Sequence, residues 1–143
     1  MKFFLFIFIL IFFLSGCTAS GLNQVKVGDK IFEVEIANTA QSRYRGLSGR
    51  EKLGENQGML FVFDDLEVRN FIMREMNFSL DMVWIKNNEV VGCSQNVQIL
   101  DEEGKFIRMN SGGEINYVLE VNAGECEKNS IREGSKFEMI SDK

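Results

Sequence analysis

The chain has 143 residues, 16 Lys and Arg against 21 Asp and Glu, a net charge of −5, and neither His nor Pro. Without His there is no Ser-His-Asp or Cys-His catalysis, and the commonest transition-metal ligand is missing. The acidic balance disfavours nucleic acid and anionic lipid headgroups as partners.

Lys2 precedes an unbroken apolar run, Phe3 to Leu14, which is too short for the ~20 residues that span a bilayer. The run closes on Leu14-Ser15-Gly16-Cys17. Small residues before a cysteine resemble the signal for lipoprotein processing, with residues 1–16 as signal peptide. Cleavage before Cys17 and acylation with chains such as palmitate place the protein on the outer side of a bacterial membrane. Two or three acyl chains anchor stably, so the membrane is a partner through Cys17 alone and needs no patch on the fold. Losing Lys2 takes the charge from −5 to −6.

Residues 17–24 then read as a lipidated N-terminus with a short polar tether, and residues 25–143 as a single β domain. Lys30 to Ala37 alternates, with Phe32, Val34 and Ile36 on one face, as a half-buried strand does. Asn38 and Thr39 are helix-capping residue types, so Ala40 to Arg45 reads as a helical turn or two that Gly46 stops. Ser48 to Gln57 is charged and glycine-containing, a loop. Met59 to Phe63 and Met82 to Ile85 are apolar strands. Asn87-Asn88 turns the second of these into Val90 to Cys93. Val97 to Leu100 and Lys105 to Arg108 flank an Asp101–Gly104 turn as a second hairpin. Ser111-Gly112-Gly113 breaks the chain before a strand from Ile115 to Val121. Ala123 to Asn129 is a short helical or irregular segment, and Lys136 to Ile140 a last strand. The expected fold is mainly β, a compact sandwich or barrel with one or two short helices.

Arg45-Gly46-Leu47, Gly58 to Phe63, Leu80-Asp81 and Leu119 to Gly124, in this order and spacing, resemble the domain of unknown function 192 family. Arg43, Arg50, Leu53, Met73 and Gly134 extend the resemblance, which implies a small β-sandwich of jelly-roll type, often exported, with no established activity. Where that family typically has Phe-Trp-Met-Lys-Asn-Thr and then Pro-Leu-Asp, this chain has Phe71-Ile72-Met73-Arg74-Glu75-Met76 and then Ser79-Leu80-Asp81.

Asp81 and Glu120 are carboxylates flanked by apolar residues, where desolvation raises a pKa towards acid–base use. As a pair they would suit a hydrolase. Alternatively each pairs with Arg43 or Arg50 and holds a loop onto the body. Met73, Met76, Met82 and Cys93 are soft ligands for Cu(I), although core packing accounts for the methionines as well. Cys93 and Cys126 either close a 33-residue loop as a disulfide or remain two small thiols. The 47–57 loop is placed to close over a groove with Met59, Phe61 and Trp84 in its floor. The candidate binding residues are therefore Arg43, Arg50, Met73, Asp81, Trp84 and Glu120. The leading expectation is a non-catalytic domain that binds a small molecule or an envelope protein, with no cofactor. The others are a hydrolase and an accessory lipoprotein without a ligand pocket.

Overall fold

A computed structural model describes residues 23–140; the lipobox and Cys17 lie outside the described residues. The chain runs β1 (Asn23–Val27), β2 (Lys30–Ala37), α1 (Ala40–Arg45), β3 (Gln57–Ile72), β4 (Leu80–Lys86), β5 (Glu89–Val97), β6 (Arg108–Asn122), α2 (Glu125–Lys128) and β7 (Phe137–Ile140). All seven strands belong to one sheet, in the order β5-β4-β6-β3-β2-β1-β7. β2 and β3 are parallel, and every other pair is antiparallel.

The sheet is curled. Its edge strands approach each other where Glu89 bridges Lys136, and Phe137 N donates to Asn88 O at 2.9 Å. Inside the curl lies a core to which every strand contributes, including Val25, Phe32, Leu60, Val83, Val90, Leu119 and Phe137. The outer face of the central strands is buried as well. There Met59, Phe61, Met82, Trp84 and Val118 pack against Leu47, Leu53, Met73 and Met76 from the connecting segments. Burial on both faces explains why β3 and β4 read as continuous apolar runs.

Local chemistry sets the connections. Thr39 caps α1: its Oγ1 accepts from Ser42 N at 3.1 Å while Thr39 N donates to Ser42 Oγ at 3.0 Å, a reciprocal box. Gly46 ends the helix at φ 50°, a conformation that favours glycine.

Three differences from the sequence reading matter. β1 takes Asn23 and Gln24 from the expected tether, because their backbones pair with β2 and Gln24 also pairs with β7. β3 and β6 each run far beyond the expected apolar stretches, and beyond the body of the sheet they pair with each other as a two-stranded ribbon. The ladder survives Ser111-Gly112-Gly113 because register shifts at Val62/Glu67 and Val68/Asn70 absorb the irregularity, and Ser111 Oγ accepts from Arg69 N at 3.0 Å. The expected second hairpin is reduced to one bridge, Leu100 to Phe106, around the Asp101 turn.

Candidate functional site

A cavity of about 440 Å³ opens on the outer face of the sheet, between the ribbon and the end of α1. Its depth comes from buried side chains: Phe61 on β3, Glu120 on β6, Leu47 after the helix, and Met73 and Met76 after the ribbon. Exposed Tyr44, Arg45, Val68 and Ile72 form the rim. Phe71 stands edge-on to Phe61 at 5.0 Å and continues the apolar wall towards Trp84 at 5.7 Å. Apolar and polar groups share the walls, with Phe61, Phe71, Met73 and Met76 beside Arg43, Arg69, Arg74 and Asn70.

Glu120 is the carboxyl of this cavity and the one acidic residue lining it among the described residues. It is 5 % exposed and sits between Met59 of β3 and Met82 of β4, its register partners on the two neighbouring strands. No donor among the described residues hydrogen-bonds its side chain. Burial pushes its pKa up to about 8, so at neutral pH the group is mostly a protonated acid. It can then both donate and accept a hydrogen bond.

Asp81 is elsewhere. Val121, not Glu120, is its register partner on β6, so alternation turns Asp81 to the inside of the curl and Glu120 to the outside. Asp81 is 0 % exposed and fully engaged: Oδ1 accepts from Asn96 N and Oδ2 from Cys126 N, each at 2.7 Å. The acid–base pair expected of a hydrolase is thereby corrected, since the sheet stands between its members.

The arginines do not hold these carboxyls either. Arg50 makes a two-pronged ion pair with Glu35, at 2.6 and 2.7 Å, that lowers the Glu35 pKa and raises that of Arg50. Both side chains are a third or more exposed, and a pair of that kind adds little to stability. Arg43 lines the cavity, but its Nη1 donates to the carbonyls of Asn38 and Val62 at 2.9 and 2.8 Å.

Cys93 and Cys126 are joined by a disulfide. With Cys93 so engaged and Met73, Met76 and Met82 buried in the apolar cluster of the opposite face, the Cu(I) ligand set is not assembled. Trp84 is also corrected: it is 3 % exposed, donates from Nε1 to Ser94 Oγ at 2.9 Å, and does not line the cavity. Of the 47–57 loop, Leu47 and Ser48 reach the site. Sequence reasoning missed Arg69 because the ribbon that presents it was not recognised, and Phe63 and Phe71 were read as strand and motif residues without a place in a site. Arg45 belongs to the Arg45-Gly46-Leu47 motif, and Arg74 to the segment that departs from the family pattern.

The sequence profile of domain of unknown function 192 (DUF192), described as "Uncharacterized ACR", matches residues 23–139. The chain belongs to the DUF192 family. No curated protein matches it significantly. Among solved structures it is similar to a protein of unknown function from Novosphingobium aromaticivorans DSM 12444. That likeness has a TM-score of 0.75 and 26% identity, over 85% of this chain and 89% of the other. It is also similar to a protein from Sinorhizobium meliloti 1021, provisionally described as a transcription regulator. There the TM-score is 0.74 and the identity 24%, over 82% of this chain and 92% of the other, a likeness that shows the fold alone.

The DUF192 motifs acquire physical reasons here. A Cβ at Gly58 would stand 2.8 Å from the backbone oxygen of Glu120 and 3.1 Å from the Leu119 and Val121 side chains, so glycine lets β3 lie close against β6 over the core inside the curl. A Cβ at Gly46 would meet the Phe61 ring at 3.3 Å. The segment that departs from the family pattern, Phe71 to Met76, supplies five of the lining residues.

Proposed function

We propose that this DUF192 domain is a non-catalytic binding module for a small molecule, carried on the outer side of a bacterial membrane. The observation behind it is the Glu120 carboxyl, 5 % exposed and open to the floor of a formed cavity, where no donor among the described residues hydrogen-bonds it. A protonated carboxyl facing a cavity offers a ligand one donor and one acceptor. A hydrolytic role has less support, because Glu120 has no second carboxyl among the residues lining its cavity. The lipobox supports the location. So does the Cys93–Cys126 disulfide, a bond that persists in oxidising compartments.

The test is a thermal-shift screen of the full chain in non-ionic detergent against sugars, lipids, peptides and small amphiphiles, repeated on Glu120→Leu. Hits should weaken at least tenfold in the variant while its melting temperature holds or rises. Silence across the panel, or hits indifferent to the substitution, overturns the reading. Loss of palmitate labelling in Cys17→Ser tests the anchor.

A further inference from the structure

The charge around the cavity runs against that of the chain. On a protein of net charge −5, the lining residues include Arg43, Arg45, Arg69 and Arg74, and Glu120 does not offset them because it is uncharged at neutral pH. Asp65 and Glu67 neutralise Arg69. The other three arginines pair with no carboxylate among the described residues.

Two of those three are held in place by neutral groups. Arg43 lies 5.0 Å from the Phe63 ring centre, with Nη1 fixed by two carbonyls. Arg74 stacks 4.2 Å over Tyr44, donating from Nη1 to its hydroxyl at 2.8 Å and from Nη2 to its carbonyl at 3.3 Å. Neutral partners fix the geometry and leave the charge uncompensated. An arriving anion therefore displaces no carboxylate, and little side-chain freedom is lost on binding. Guanidinium groups also match a carboxylate with two parallel hydrogen bonds.

The basic groups and Glu120 differ in depth: Arg45 is exposed and Arg43 and Arg74 half-buried, whereas Glu120 is 5 % exposed. Between them the surface is apolar, built on Phe61, Phe71, Met73 and Met76. We propose that the cavity takes an organic carboxylate with an apolar, aromatic-sized body, its anionic head held at the rim by Arg43, Arg45 and Arg74 and its inner end against Glu120. This assignment rests on the binding reading above and names its ligand class.

The experiment uses the full chain in non-ionic detergent at pH 7, titrated by calorimetry with three probes of one shape: 2-naphthoate, 2-naphthylmethanol and 2-naphthylmethylammonium. Naphthoate should bind at least tenfold more tightly than the alcohol, with the gap narrowing as salt is raised. Within the double variant Arg45→Gln/Arg74→Gln, naphthoate and the alcohol should bind with equal affinity. Arg45→Gln alone, at an exposed position, should act in the same direction. An alcohol or ammonium affinity equal to or above that of naphthoate overturns the charge class and leaves cavity binding standing. A naphthoate affinity untouched by the substitutions overturns the arginine assignment. No binding by any of the three overturns both the ligand class and the binding reading.

Discussion

Asp81 and Glu120 stand one residue out of register on adjacent strands and face opposite sides of the same sheet. The same backbone thus carries two buried acids with unrelated roles. One is saturated with backbone donors and ties the β5 and α2 segments to β4; the other faces a cavity without a partner.

Asp81→Asn should cost about 1–3 kcal/mol, because an amide nitrogen would face one of the two backbone N–H groups that the carboxylate now accepts from, those of Asn96 and Cys126. Urea denaturation reads the loss, and 2-naphthoate titration of the folded variant should return the wild-type affinity. Weaker binding at unchanged stability would place Asp81 in the site.

Glu120 predicts a pH dependence of stability. Between its ordinary value of 4.5 and its folded value of about 8, the unfolded chain has released this proton while the folded chain retains it. Stability therefore falls as pH rises through that window and levels off above it. The drop should be on the order of 3–5 kcal/mol. Glu120→Gln should match the wild type near pH 5 and exceed it near pH 9. Denaturation midpoints that change in parallel for the two proteins would contradict a protonated Glu120.

The Cys93–Cys126 bond closes a 33-residue separation, which constrains the unfolded chain by about 3–4 kcal/mol. Cys93→Ser/Cys126→Ser should lose that amount in equilibrium unfolding. Its effect on ligand affinity should be small, since Cys126 packs inside the curl and the cavity lies outside it.

Glu75 sits at φ 54°, a left-handed conformation that asparagine tolerates better than glutamate does. The family pattern typically has asparagine at this place. Glu75→Asn should stabilise the protein by about 1 kcal/mol. A lower melting temperature in the variant would show that the glutamate side chain has its own role.

The fold was legible wherever apolar pattern and burial agreed. Phe32 and Val34 alternate into the core, and Met82 to Ile85 is apolar throughout because both faces of β4 are covered. The ribbon was not legible. Asp64, Asp65, Glu67 and Asn70 are exposed, and although burial alternates along the ribbon from Arg108 to Ile115, Ser111 and Gly113 at its inward positions give no apolar alternation to read. Glu120 was legible as a buried acid, but its separation from Asp81 was not. That separation depends on register, and a one-residue offset decides which face a side chain takes.

The ribbon ties the size of the site to backbone shape. Phe61 in the floor, Phe63 in the wall and Val68 and Ile72 on the rim all belong to the single strand β3, and the register shift between Val62 and Glu67 falls among them. The angle at which the ribbon leaves the sheet is therefore also the width of the cavity. Lengthening or shortening that bulge by one residue would retune the cavity while every lining side chain kept its identity, so ligand fit here is as much a matter of strand twist as of side-chain choice.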